Sequence, residues 1–288
     1  MPSFVLLEPG SPREASRMLA DSGEDARLLA GGTALLLAMR QRLVTPSHLV
    51  HLGGLHDLET IEYDENNGLR IGALVRHREV ADAPVIKKHY PMLASMASQV
   101  ANPQIRNMGT LGGNLCYADP ATDPPVCLMA LGARALAVSA HGERVIALDE
   151  FYPGYYETTL ANDEVLTRIE IPPLPVGTSG VYTRFLRTLA EHRPLVGLGV
   201  VVRRDADVIA EIRIAIGAST TIPVRARQAE SFLRGKGVGS DILDEAARIA
   251  AAEISPISDF RGAAEYRREM VRVVARRTLD AALRSPID

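Results

Sequence analysis

The chain has no tryptophan, only two cysteines among 288 residues, and a formal charge of just -3 from 32 Lys+Arg against 35 Asp+Glu. Cys116 and Cys127 provide neither a disulfide framework nor a CxxC metal spacing, so any iron-sulfur cluster must sit on another chain, and both thiols are expected to be buried and inert. No uninterrupted apolar run approaches the roughly 20 residues of a membrane span. The opening MPSFVLLEPG lacks a basic region followed by an apolar stretch, so the cytoplasm is the expected location. Near-neutral charge with scattered basic residues argues against nucleic-acid binding. The exception, the run Arg267, Arg268, Arg272, Arg276 and Arg277, reads as the solvated face of a helix.

What is present is ordinary for a globular protein: 47% apolar and 23% charged residues, in a chain about twice the usual domain length of roughly 150. Ser11, Pro12 and Glu14 mark a helix start, with Ser11 as cap and Glu14 reaching back to the Ser11 amide. A strand at 27–30, a Gly31-Gly32-Thr33 turn and a helix at 34–42 follow. Further strands are expected at 47–52 and 68–74, and a helix at 89–100. A second glycine-rich turn at 109–114 and a helix at 126–131 come next. Strands at 133–140 and 144–148 flank a His141-Gly142 turn, and 164–171 alternates as a strand should. Pro172, Pro173 and Pro175 then break the pattern, and a linker runs through Gly180. Beyond it, three antiparallel strands (181–188, 195–204, 209–218) precede helices at 228–233, 241–253 (Ser240 as cap) and 263–283. The chain shows no internal repeat.

Chemistry concentrates at the two glycine turns. Leu28, Leu29, Ala30, Gly31, Gly32, Thr33, Ala34 and Leu35 present consecutive backbone N–H groups at a turn entering a helix, a setting that suits a phosphate or diphosphate. The segment matches neither GxGxxG nor GxxxxGK[ST], and taken alone it also fits a purely structural turn. Thr110, Leu111, Gly112, Gly113 and Asn114 form a second such segment about 80 residues on, with a hydroxyl and an amide as extra donors. Two segments of this kind suggest one extended ligand held from both sides. Asp123 is placed either to accept from sugar hydroxyls or to cap the helix that follows. His48, His51 and His56 straddle a strand and a turn, an arrangement ill suited to a metal, and Tyr152, Tyr155 and Tyr156 read as one aromatic packing cluster. No catalytic constellation stands out, so a cofactor should carry the reaction.

Four stretches in order, LLAGGTALL, IGAL (71–74), QIRNMGTLGGNLCYADPATDPP and EVLTRIEIPP, resemble the FAD-binding medium subunits of the xanthine dehydrogenase and carbon monoxide dehydrogenase family of molybdenum hydroxylases. The resemblance reaches the tail at Pro223-Val224-Arg225-Ala226, Asp259-Phe260-Arg261-Gly262 and Glu265-Tyr266-Arg267-Arg268. It implies an α+β fold: an FAD-binding (PCMH-type) domain of two subdomains at 1–175 (about 1–57 and 58–175), then a C-terminal domain at 180–288 with a three-stranded antiparallel sheet and helices. It further implies that residues 28–35 and 110–114 hold the FAD diphosphate and neighbouring groups, that Asp123 is the cofactor-binding aspartate, and that Leu166 and Val100 lie near the flavin.

The family often carries a Lys- and Arg-rich stretch near the flavin after the first strand of its last domain. Here that stretch reads Tyr182-Thr183-Arg184-Phe185-Leu186-Arg187-Thr188, then Leu189-Ala190-Glu191-His192-Arg193, and no flavin contact is assigned to Arg184 or Arg187. There is no inserted cysteine-rich loop of the kind found in benzoyl-CoA-type relatives. The expected role is the medium subunit of a heterotrimer. Substrate is hydroxylated at a molybdenum cofactor on a large subunit, electrons cross [2Fe-2S] clusters on a small subunit, and FAD here passes them to NAD, quinone, a carrier protein or oxygen. A free-standing FAD oxidoreductase and a cofactor-free assembly subunit are the alternative readings.

Overall fold

The computed structural model describes residues 3–188 and 190–285; Leu189 and the outermost residues of the two expected domains, 1–2 and 286–288, lie outside the described residues. Three sheets follow one another along the chain. The first is parallel, in the order β1 (Val5–Leu7), β3 (His48–His51), β2 (Ala26–Leu29). Parallel neighbours need a crossover. The chain passes from β1 to β2, on the far side of β3, through α1 (Pro12–Ser22), which buries Ala15, Ser16 and Leu19. Ser11 Oγ accepts the Glu14 N–H at 3.2 Å, as expected, but Glu14 reaches back to the amide of Gly10 at 2.7 Å rather than to that of Ser11. A short helix, α2 (Leu35–Arg40), follows β2.

The second sheet is antiparallel, in the order β4 (Ile61–Asp64), β5 (Gly68–Gly72), β8 (Val165–Ile171), β6 (Arg134–Val138), β7 (Glu143–Ala147). Between β5 and β6 run six helices: α3 (His77–Asp82), α4 (Pro84–His89), α5 (Pro91–Gln99), α6 (Pro103–Met108), α7 (Leu111–Tyr117) and α8 (Pro124–Ala130). Four of them start on a proline, whose fixed φ suits the first helical position and whose missing N–H costs nothing there. The apolar pattern alone reveals only α5 and the seven-residue α8; the six-residue α3, α4 and α6 are too short to display a period. The expected helix over 89–100 is cut at Tyr90 because Pro91 begins a new one.

The third sheet is antiparallel, β12 (Val224–Arg225), β11 (Val208–Gly217), β10 (Val196–Asp205), β9 (Thr178–Phe185), so a two-residue edge strand joins the three expected ones. One face packs Leu198, Val200, Val202, Ile212, Ile214 and Ile216 against α9 (Arg227–Leu233), α10 (Ser240–Ala252) and α11 (Ala264–Arg284). Gly239 occupies the cap position of α10, and Ser240, expected there, is its first helical residue. The opposite face rests on the second unit. Val201, Ala215 and Tyr182 join the same apolar core as α5 and α8, and all seven residues of α8 are buried. Gly217 makes that approach possible: a Cβ there would lie 2.4 Å from Val126 Cγ2.

Two sequence expectations fail here. Arg267 is fully buried, because α11 turns it under the sheet, where it donates to the Ala218 carbonyl at 2.9 Å and pairs with Asp259. A charge can be buried when its donors are all met in this way. Cys116 is exposed on α7, whereas Cys127 on α8 is buried as expected.

Candidate functional site

The first glycine segment leaves the carboxyl end of β2 and turns into α2, with Gly32 at φ 69°, a left-handed conformation that suits glycine. The Leu36 N–H bonds back to the Gly32 carbonyl at 3.0 Å, while the amides of Gly31, Gly32, Thr33 and Ala34 find no acceptor among the described residues. Free adjacent backbone donors at a turn form a concavity for an anion.

The second segment is the first turn of α7 rather than a loop. Four of its five backbone donors are already used: Leu111 donates to the Val75 carbonyl at 2.8 Å, Gly112 to that of Ala73 at 2.9 Å, Asn114 to that of Thr110 at 3.0 Å, and Gly113 to Thr110 Oγ1 at 3.2 Å. The expected run of free amides is therefore absent from this segment. What it can offer outward is the Thr110 backbone N–H and hydroxyl proton and the Asn114 side chain, whose Oδ1 is buried without a hydrogen-bond partner.

The two segments meet. A Cβ on Gly31 would stand 2.0 Å from the Met108 carbonyl oxygen, one on Gly109 would lie 3.3 Å from Thr33 Oγ1, and one on Gly113 would lie 3.7 Å from Ala30 Cβ. Leu37 and Met108 stay exposed.

Asp123 precedes α8 but makes no side-chain capping bond. Its buried carboxylate instead faces the third sheet: Tyr182 donates to Oδ1 at 2.7 Å, and Arg184 Nε lies 3.4 Å from the same atom. Burial raises the Asp123 pKa to about 6, against the opposing pull of Arg184 and Tyr182. Arg184 also donates to the Gln99 carbonyl and, at 2.7 Å, to that of His192. The buried Val100 lies just past α5, and its carbonyl accepts from Arg106 at 2.9 Å. Leu166 is buried in β8, one residue before Thr167, whose carbonyl accepts from Ala73, the residue that receives the Gly112 amide.

The structure thus joins residues 30–34 to 108–114 directly, and sets Asp123 and Val100 at the seam with the third sheet. Of three further polar residues at these places, Tyr182 and Arg184 lie in the stretch that carries no assigned contact in the sequence, and His77 escaped the sequence reading. Tyr182 and Arg184 share one side of β9 by the two-residue period of a strand, a signal that was legible had the face been known. His77, buried at the start of α3, left no such trace. The expected tyrosine cluster divides. Tyr152 is buried and donates to the Leu115 carbonyl at 3.3 Å, while the exposed Tyr155 and Tyr156 meet edge-on at 4.8 Å. His51 and His56 face separate carboxylates, Glu8 at 3.7 Å and Glu59 at 3.3 Å.

Comparison with known proteins gives the family of the chain. The family described as "FAD binding domain in molybdopterin dehydrogenase" matches residues 2–174, and "CO dehydrogenase flavoprotein C-terminal domain" matches 181–282. The nicotine 6-hydroxylase medium subunit of Paenarthrobacter nicotinovorans is 35% identical over 279 residues, 97% of each chain. The carbon monoxide dehydrogenase medium chain of Hydrogenophaga pseudoflava is 32% identical over 281 residues, 98% of this chain and 97% of that one. A solved carbon monoxide dehydrogenase from the same organism, lacking the Mo-pyranopterin moiety, superposes with a TM-score of 0.94 at 33% identity, over 98% of this chain and 97% of its own.

Proposed function

This chain belongs to the family of FAD-binding medium subunits of carbon monoxide and xanthine dehydrogenases, and from that premise we propose that it is the electron outlet of a cytoplasmic heterotrimeric molybdenum hydroxylase. FAD, when bound, would supply the redox chemistry that links [2Fe-2S] clusters of a small subunit to an external acceptor, and a large molybdenum subunit would hydroxylate the substrate. The two matched stretches support a division into an FAD-binding domain at 1–175, with subdomains about 1–57 and 58–175, and a C-terminal domain at 180–288. No helix among the described residues is long and apolar enough to cross a membrane.

The observation that carries the reading is the meeting of the two glycine segments around unpaired donors. The amides of Gly31, Gly32, Thr33 and Ala34 hold the diphosphate, flanked by Leu28, Leu29, Ala30 and Leu35. Thr110 and Asn114 bind from α7, and Leu111, Gly112 and Gly113 keep that helix close enough to do so. Asp123 offers its second oxygen to a sugar hydroxyl while Tyr182 and Arg184 hold the first. Val100 and Leu166, whose side chains are buried, shape the flavin end from behind.

Purification of the natively expressed chain with its companions, followed by visible spectroscopy and chromatography of the released cofactor, tests this. FAD together with iron-sulfur absorption and two further chains is the expected result. FAD on a lone, substrate-turning chain would replace the proposal with a free-standing flavoenzyme, and a colourless protein would overturn it.

A further inference from the structure

His77 opens α3 and is only 2% exposed. Its backbone N–H donates to the Gly109 carbonyl at 3.0 Å, which ties α3 to the threshold of α7. The ring lies where the two glycine segments meet: its Cδ2 and Thr33 Oγ1 are each 3.3 Å from the point a Cβ of Gly109 would occupy. Nδ1 is buried with no hydrogen-bond partner, and Nε2, the nitrogen bonded to Cδ2 and so on the junction side, makes no hydrogen bond among the described residues either. Burial first, and then the charge of Arg106, lower the imidazole pKa to about 4, so the ring is neutral near pH 7 and carries a single N–H. A buried N–H without an acceptor is rarer and costlier than a bare acceptor, which assigns the proton to Nε2.

We propose that His77 is a further FAD-binding residue, donating its Nε2–H to an oxygen of FAD where the 30–34 and 108–114 segments meet. This rests on the FAD-binding reading above. The imidazole is already oriented by its packing, so the donor is placed before the ligand arrives. The proposal supplies Nε2 with an acceptor that the protein's own hydrogen bonds do not provide.

The test uses the full-length chain freed of flavin and titrated with FAD by flavin fluorescence, for the natural sequence, His77→Gln and His77→Leu. Glutamine can present an amide N–H near the position of Nε2, whereas leucine fills the space without a donor. His77→Leu is expected to raise the dissociation constant about tenfold, and His77→Gln by no more than about threefold, as loss and retention of one hydrogen bond imply. Without FAD, His77→Leu should melt no lower than the natural chain, because it removes an unpaired buried polar group. Nitrogen NMR of the imidazole should show protonation at Nε2 and a downfield shift of that proton on adding FAD.

Equal affinity of His77→Leu and the natural chain would overturn the proposal, as would a proton on Nδ1. So would equal weakening in both variants with matching losses of melting temperature, the mark of a packing role. If the natural chain itself binds no FAD, the underlying reading fails as well; if it binds FAD and His77→Leu binds equally, only the role of His77 fails.

Discussion

Asp123 holds a carboxyl group that burial makes reluctant to ionise, and the consequence can be read from the pH dependence of stability. Its pKa rises from 3.8 to about 6 on folding. Below pH 4 it is protonated in both states, and no charge is buried. Between pH 4 and 6 the unfolded chain releases the proton while the folded one keeps it, so stability falls as pH rises, by a total of about 3 kcal/mol at 1.36 kcal/mol per unit. Asp123→Asn has no such proton to lose, and its amide oxygen can still accept from Tyr182. The stability of the flavin-free variant relative to the natural chain should therefore climb from pH 4 to about pH 6.5 and then level off, as measured by denaturant titration at each pH. A flat difference would place the carboxyl back in the usual range and discount the burial at this seam.

At the scale of elements, the site depends on β2 and α6 delivering their ends to the same place. The contact between Gly31 and the Met108 carbonyl has no room for a side chain, since a Cβ would lie 2.0 Å from a backbone oxygen. Gly31→Ala is thus expected to push the two segments apart and weaken FAD binding at least about tenfold, while circular dichroism stays unchanged, because small displacements of a preorganised site are costly. Gly54→Ala serves as the control: a Cβ there meets nothing within 4 Å. Equal FAD affinity in the two variants would show that the close approach does not matter to binding. The glycines of these segments are visible in the sequence, but whether each serves a turn, a close packing or a ligand is not. Gly32 answers to its positive φ, Gly31 to Met108, Gly112 to Ala73, whose Cβ would lie 2.6 Å from an added one, and Gly113 to Thr110 Oγ1 at 2.7 Å, in a helix that reads as a loop because it is short and glycine-rich.

For the whole molecule, the seam between the second and third sheets is held by α8, buried on every side, against a sheet face with glycine at its closest contact. Gly217→Ala brings a methyl to within 2.4 Å of Val126 Cγ2. Overpacking of this kind costs about 1–3 kcal/mol. Because the clash has a single partner, Val126→Ala should relieve most of it, so the double variant should be more stable than the sum of the two single ones by at least about 1 kcal/mol. Additive losses would show that β11 and α8 do not bear on each other here.

The amino-acid order alone determined most elements longer than seven residues, the break after Ile171, the two glycine segments and, through its motifs, the family; each rests on neighbours close in the chain, which short-range patterns record. Only the tertiary structure decided which donors remain free. Residues 31–34 keep their amides while α7 uses its own, and that depends on which carbonyls the fold brings near. The same holds for Arg267, outward by helical spacing yet inward because its acceptors lie on Ala218 and Asp259, and for His77, whose neutrality and position come from groups about 30 to 45 residues away in either direction. Burial and hydrogen-bond partnership are properties of long-range contact, and no local pattern encodes them.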